Sequence, residues 1–113
     1  MNIFILDERP QKSVEYLCDK HVVKMVLETA QLLCSAFDGG APYKRTHYNH
    51  PCAKWARETR QNYSWLIEYG HRVSSEFHYR YQKPHKSEGV IKWCADNAYQ
   101  LNLPQGIRTP HVI

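Results

Sequence analysis

The chain has 113 residues, of which 42% are hydrophobic, and a formal net charge of +4. A chain of this length builds one hydrophobic core rather than two, and its composition shows neither disorder nor repeats. The apolar run Ile3–Leu6 has no basic leader and is far too short for a signal peptide or a membrane span. We therefore expect a single domain over residues 1–113 of a monomeric, cytoplasmic protein.

The first half of the chain predicts a short extended segment followed by a long helix. The extended segment is Ile3–Leu6. Over residues 12–37 the apolar positions recur at spacings of three and four, which is typical of an amphipathic helix. Asp38 and two glycines end this helix, and residues 39–50 have no periodicity, so they form a loop.

The second half predicts two more helices. Asn49 or His50 caps a long helix over residues 51–82. Pro51 lies in its first turn, where backbone amides have no partner within the helix, so the missing amide hydrogen costs no bond. Ser87 caps a shorter third helix, and residues 102–113 form an irregular tail. The predicted fold is all-α: a compact single domain of two long antiparallel helices plus a shorter third, with a short extended N-terminal segment.

The basic residues are concentrated in the middle of the chain. Residues 1–38 carry four Lys or Arg and six Asp or Glu, whereas residues 43–86 carry nine and three. Tyrosines and tryptophans are interleaved with these cations. Cations among flat rings are typical of surfaces that neutralise phosphates and stack on bases. The competing interpretation is a solvated helix face over an ordinary aromatic core.

His21 and Glu28 form the candidate catalytic pair. A separation of seven residues closes about two helical turns, so both side chains fall on one face, together with Met25 and Leu32. A carboxylate beside apolar side chains has its pKa raised, which suits acid–base chemistry at neutral pH. The alternative is a surface carboxylate in a weak ion pair with Lys24.

The cysteines are expected to be free thiols, with Cys34 and Cys94 in the core. A zinc site is a conceivable alternative, built from Cys18, His21, His47, His50 and Cys52. Because this set lacks a paired C-x-x-C knuckle, we expect no metal and no cofactor.

Several motifs occur in a familiar order. They are Cys18 and the His21–Glu28 spacing, Tyr48-Asn49-His50-Pro51 followed by Lys54-Trp55, the pair His71 and Glu76, and the stretch Arg80–Ser87. In these features the chain resembles the pyrimidine-dimer DNA glycosylase family, the endonuclease V type of phage and bacterial enzymes. The resemblance covers residues 1–88 and indicates a divergent, phage-like member.

The resemblance implies that the nucleophile is the N-terminal α-amino group. Its reference pKa of about 7.7–8.0, against about 10.4 for lysine, leaves a useful fraction neutral at pH 7. Asn2 favours retention of Met1, so the amine would be that of Met1. Glu28 would stabilise cationic charge on the sugar, protonate the ring oxygen and assist strand scission, with His21 in the same catalytic set.

The resemblance also implies a set of DNA-binding residues. They are Lys44, Arg45, Tyr48, Asn49, His50, Trp55, Arg80 and His85. The dimer-specific phage enzymes have an arginine directly before the catalytic glutamate, where this chain has Leu27. Another cation would then hold the DNA phosphate, and Arg9, Lys24, Arg45 and Arg57 are the candidates.

Three alternatives to a DNA glycosylase with lyase activity remain open. The same fold could cleave the N-glycosidic bond of a nucleotide or of another nucleic acid. It could instead be a non-catalytic module that binds nucleic acid or a host protein through its basic, aromatic middle. The zinc site would make the protein a metal-dependent hydrolase.

Overall fold

The computed structural model describes residues 19–106, and this range contains four α-helices and no strand. The elements are α1 (Asp19–Cys34), α2 (Pro51–Ala56), α3 (Arg60–Tyr81), α4 (Glu88–Asn97) and a short 3₁₀ helix (Ala98–Gln100). The all-α prediction is confirmed. The predicted extended segment Ile3–Leu6, the start of the first predicted helix and residues 107–113 of the tail lie outside the described residues.

Helices α1 and α3 run antiparallel and form the centre of the fold. Near the end of α1, the Leu33 carbonyl accepts a hydrogen bond of 2.8 Å from the Tyr63 hydroxyl, near the start of α3. At the opposite end, Asp19 Oδ1 lies 3.0 Å from Arg80 Nη1, in the last turn of α3. The predicted antiparallel pair is therefore confirmed by contacts at both ends.

The core lies where α4 packs against α1 and α3. The side chains that are at most 1% exposed there are Val22, Met25, Val26, Leu33, Tyr63, Leu66, Tyr69, Val73, Ile91 and Cys94. Cys34 and Cys94 are free and fully buried, with their Sγ atoms 3.6 Å apart, so their predicted place in the core is confirmed.

The prediction of one continuous helix over residues 51–82 is wrong at residues 57–59, which separate α2 from α3. Thr59 adopts an extended conformation, and its hydroxyl accepts a hydrogen bond of 3.0 Å from Asn62 N. The Asn62 side chain in turn donates to the Trp55 carbonyl at 2.8 Å, which ties the two helices together. Apolar spacing continues across the break, so periodicity alone could not reveal this internal N-cap.

Two other predicted boundaries shift by a few residues. Helix α1 ends at Cys34 rather than at residue 37, because Ala36 N and Phe37 N donate to carbonyls three residues back. The predicted third helix gives way to the 3₁₀ helix after Asn97. The end of the second long helix is close to the prediction, since Gln82 caps α3 in a left-handed conformation with φ of 59°.

Gly70 of α3 allows α1 and α4 to approach closely. A β-carbon at this position would lie 3.0 Å from Ile91 Cγ2 and 3.1 Å from Thr29 Cγ2, inside ordinary van der Waals contact. Ile91 and Thr29 are fully buried, so neither side chain can move aside freely. The absence of a side chain at Gly70 is therefore a condition of this packing.

We expect Gly70→Ala to destabilise the protein. Overpacking costs about 1–3 kcal/mol, which offsets or exceeds the gain in helix propensity of about 1 kcal/mol. Gly89→Ala in α4 is the matched control, because no atom lies within 4 Å of its β-carbon position, and it should raise the free energy of unfolding. Urea denaturation measures both, and equal stabilisation by the two substitutions would contradict the packing argument.

Candidate active site

Glu28 lies in the middle of α1 and is half-buried, as is His21 about two turns earlier. The negative charge of Glu28 acts on Tyr69 of α3. Burial raises the pKa of Tyr69, and the negative charge of Glu28 raises it further. The carboxylate therefore faces a phenol that stays neutral at physiological pH. Met1 and Asn2, the predicted source of the amine, lie outside the described residues.

The Tyr69 hydroxyl is buried without a hydrogen-bond partner in the described part of the chain. The same is true of the Thr29 hydroxyl, directly after Glu28, and of the Ser74 hydroxyl. Buried polar groups are nearly always hydrogen-bonded, so three orphan hydroxyls on the facing helices α1 and α3 are unusual. The hydroxyls of Thr29 and Tyr69 are therefore hydrogen-bond donors near Glu28 that no group among the described residues uses. The sequence carried no signal for Tyr69, because its proximity to Glu28 is a tertiary contact.

A row of aromatic rings leads from Tyr69 to α2. Trp65 stacks on Tyr69 with ring centroids 5.4 Å apart, and Trp55 meets Trp65 edge-on at 5.9 Å. Trp55 is only 6% exposed and belongs to the core. Its predicted role in DNA binding stays a prediction, and its clear function is to dock α2 against α3.

Two guanidinium groups, one from the loop before α2 and one from the end of α2, contact the same tyrosine ring. The Cζ atoms of Arg45 and Arg57 lie 4.1 Å and 3.7 Å from the centroid of the Tyr48 ring, both within cation–π distance. We call Arg45, Tyr48 and Arg57 the basic stack. The side chains of Lys44 and Asn49 on the same loop are exposed. Five predicted binding residues therefore lie on this loop: Lys44, Arg45, Tyr48, Asn49 and His50.

Two predicted binding residues, His50 and His85, accept backbone hydrogen bonds just before helices. His50 is the N-cap of α2, whereas His85 lies in the turn before α4, whose N-cap is Ser87. Nδ1 of His50 accepts a hydrogen bond of 3.1 Å from Cys52 N, and Nδ1 of His85 accepts one of 3.0 Å from Ser87 N. His85 Nε2 lies 3.2 Å from the Val23 carbonyl, to which it must donate, so its neutral ring carries the hydrogen on Nε2.

Both His50 and His85 have a pKa below the ordinary value, mainly because burial removes each ring from water. The charge interaction with His47 lowers the pKa of His50 further, and that with Lys86 lowers the pKa of His85 further. For His85, burial outweighs the bond to the Val23 carbonyl, which acts in the opposite direction. Only the neutral imidazole has a ring nitrogen that can accept the backbone hydrogen bond.

Arg80 lies at the opposite end of α3 from the basic stack. Its guanidinium is bonded to Glu76 at 2.7 Å and to Asp19 at 3.0 Å. Burial alone would lower the pKa of Arg80, but the two carboxylates raise it overall. Because its charge is already neutralised within the protein, this predicted DNA contact is also an ion-pair link between α1 and α3.

A groove of about 590 Å³ opens beside the exposed side chain of Leu27, the residue before Glu28. Its lining residues are Val23, Leu27, Tyr43, Phe77 and the stretch 83–87, which contains Lys83 and Lys86. The groove thus combines an apolar wall with two cations. Leu27 itself carries no charge, and Lys83 and Lys86 line the same groove.

The zinc site considered as an alternative does not assemble within residues 19–106, where no three His, Cys, Asp or Glu side chains are grouped to hold a metal ion. The rings of His47 and His50 have centroids 6.4 Å apart, and Nδ1 of His50 is occupied by its cap bond. Cys52 is buried. Cys18 lies outside the described residues.

An all-α domain with a half-buried carboxylate between basic and aromatic surfaces has the features of a protein that processes nucleic acids. The family model of pyrimidine dimer DNA glycosylases matches residues 1–88, and the chain belongs to that family. A DNA substrate and an enzymatic role follow at the level of the family. A search of curated proteins and a search of solved structures each found no match. No helix within residues 19–106 is long and apolar enough to cross a membrane.

Two tyrosines on α3 allow the orphan hydroxyl to be tested. Tyr63→Phe removes a buried bond to the Leu33 carbonyl and should lower the free energy of unfolding by about 1 kcal/mol. Tyr69→Phe removes a hydroxyl with no partner among the described residues, so we expect no loss of stability, or a gain. Urea denaturation compares the two, and a larger loss for Tyr69→Phe would show that its hydroxyl is bonded.

The bonds accepted by His50 and His85 predict a pH dependence of stability. Because the pKa of each is lower in the folded state, their contribution is fully present above about pH 6.5, the unfolded pKa, and is lost as the pH falls through the folded pKa. His50→Asn and His85→Asn keep a side-chain acceptor that does not titrate, so each should flatten the decrease in unfolding free energy between about pH 7 and pH 5. His71→Asn, at an exposed site in α3, is the control. An unchanged pH slope in both variants would contradict this assignment.

Proposed function

We propose that the protein is a DNA glycosylase that also cleaves at abasic sites, with the N-terminal amine as nucleophile and Glu28 as the charge-stabilising acid–base group. The observation that carries this proposal is the family match over residues 1–88, a range that includes both Met1 and Glu28. The half-buried position of Glu28 beside a neutral phenol supports the assigned role.

The first step replaces a carbon–base bond by a carbon–amine bond. The neutral amine of Met1, kept in place because Asn2 disfavours its removal, attacks C1′ of the sugar while the base leaves with the electrons of the N-glycosidic bond. Glu28 helps to protonate the ring oxygen, so that the sugar opens and an imine forms. Abstraction of a C2′ proton then expels the 3′ phosphate by β-elimination.

The environment of Glu28 suits the stabilisation of positive charge. A carboxylate acts more strongly on a developing cation when it is partly shielded from water, since the effective dielectric constant is lower there. The unused hydroxyl of Tyr69 can hold a ligand or the carboxylate by hydrogen bonding once substrate is bound. His21, half-buried on the same helix, is assigned to orient this group.

DNA binding is supported by cationic groups on both sides of Glu28. Along α1, Val23 next to His85 and Leu33 next to Tyr63 each lie five residues from Glu28, about 7.5 Å along the helix axis. The groove lined by Lys83 and Lys86 lies near Val23. The loop that carries Arg45 and Tyr48 lies, with α2, near the other end of α1. A duplex with a phosphate charge about every 1.7 Å of axis could contact both.

Glu28→Gln should abolish catalysis without loss of the fold. We expect base release and strand scission on damaged duplex DNA to fall by about 10²-fold or more, because the neutral amide cannot stabilise the cationic sugar or move its proton. Glu68→Gln, which removes an exposed carboxylate from α3, is the matched control and should keep full activity. Oligonucleotide cleavage assays with circular dichroism as the folding check provide the measurement, and an active Glu28→Gln enzyme would refute the role.

Borohydride reduction identifies the nucleophile in the same set of proteins. Incubation with an abasic-site duplex and borohydride should yield a covalent complex, which mass spectrometry of peptides locates at the N-terminal amine. Base release from free nucleotides without covalent capture would favour the nucleotide-directed alternative. DNA binding without any reaction would favour the non-catalytic binding module.

A further inference from the structure

We infer that Arg57 binds a backbone phosphate of DNA, and that Tyr48 and Arg45 position its guanidinium for this contact. The inference rests on the proposed function in taking DNA as the ligand, but it concerns binding rather than the chemical step. Its basis is the basic stack, in which two permanent cations lie over one ring.

Within the basic stack, the protein supplies little negative charge. Arg45 approaches Asp38 at 3.5 Å, but the Asp38 side chain is 99% exposed and so largely screened by water. Arg57 has no ion pair with any residue of the 19–106 range. Two neighbouring guanidinium groups with one weak counter-charge form a place where an anion is attracted from solution.

The hydrogen-bonding capacity of Arg57 is also unused. Its Nη1 atom is buried and has no acceptor among the described residues. A guanidinium holds its N–H groups in one plane, where a phosphate accepts two of them side by side. Arg57 as a whole is only half-buried, so its side chain also has a solvent-facing part.

The stack is held in place before any ligand arrives. Arg45 Nε donates to the Ser35 carbonyl at 2.9 Å, at the end of α1. Tyr48 lies within a tight turn in which His47 has φ of 54° and the His47 carbonyl accepts a bond of 3.0 Å from His50 N. Arg57 is the C-cap of α2, with its amide bonded to Ala53. A guanidinium fixed in this way loses less entropy on binding.

DNA phosphate is the ligand that the surroundings favour. Arg57 lies in the segment 43–86, which carries nine cations and three carboxylates. Lys44 on the loop of the basic stack and Lys54 on α2 are exposed. A chain of regularly spaced phosphates meets several such cations at once, whereas a single carboxylate of a protein partner meets one.

The test measures binding of a fluorescein-labelled duplex that holds one uncleavable abasic-site analogue, between about 50 and 200 mM salt. Arg57→Gln should weaken binding about tenfold at the lower salt and reduce the slope of log K against log salt by about 0.9. Arg57→Lys should keep the slope but lose part of the affinity, because an ammonium is a point charge without the planar fork. Lys92→Gln, an equal charge change at an exposed site in α4, should leave the slope unchanged.

Tyr48 is tested by ring replacement in the same assay. Tyr48→Leu removes the ring that both guanidinium groups contact and should weaken binding in the same direction as Arg57→Gln. An Arg57→Gln protein with an unchanged salt slope would overturn the proposal. The proposal would also be overturned if Arg57→Gln or Tyr48→Leu lowered the unfolding temperature but left DNA binding unchanged, since the basic stack would then serve stability alone.

This outcome is separable from the fate of the proposed function. If Arg57→Gln lowers the salt slope while no base release or covalent capture is found, the phosphate contact stands and the glycosylase proposal fails. If capture occurs at the N-terminal amine but Arg57→Gln binds DNA as before, the glycosylase proposal stands and the phosphate contact is wrong.

Discussion

The close packing of α1 against α3 at Gly70 is the contact on which the site depends. Because Gly70 has no side chain, Thr29 of α1 and Ile91 of α4 fill the space above it. The residues on either side of this contact, Glu28 and Tyr69, are thereby brought to facing positions, and the charge of one is felt in the pKa of the other. A half-buried carboxylate beside a neutral phenol is thus a consequence of helix packing rather than of any local motif.

The cations of the protein fall into two kinds according to their partners. Arg80 is neutralised by Glu76 and Asp19 and holds the far end of the antiparallel pair together. Arg57 rests on an aromatic ring and has no carboxylate partner in the part of the chain that the structure describes. The same residue type therefore serves stability at one end of α3 and is left available to a ligand at the other.

His50 and His85 show how local structure and a binding surface share residues. His50 caps α2 and His85 accepts a backbone hydrogen bond in the turn before α4, close in sequence to Tyr48 and Lys83. Both bonds require a neutral imidazole, which the lowered pKa of both groups favours at neutral pH. The basic surface is therefore built on uncharged histidines and permanently charged arginines and lysines.

Local periodicity determined much of the fold. The all-α class, the buried face of α1, the core positions of Cys34 and Cys94 and a helix cap at either Asn49 or His50 all follow from spacing and neighbouring residues, since these properties depend on contacts within one or two turns. The family motifs, the His21–Glu28 spacing foremost, are likewise properties of the sequence. Their assignment to catalysis and DNA binding remains a prediction.

The tertiary structure decided what depends on contacts between distant residues. The break at Thr59 is stabilised by its own cap and by the bond from Asn62 to Trp55, while the apolar spacing runs through it unchanged. The placement of Tyr69 beside Glu28 needs the register of two antiparallel helices, which no local pattern contains. The stacking of Arg45 and Arg57 on Tyr48 needs a loop folded back on α2. None of these three features depends on the spacing of apolar residues, which is why periodicity could not reveal them. The contacts at Tyr69 and at Tyr48 further require the chain to fold back on itself, so only the tertiary structure could decide them.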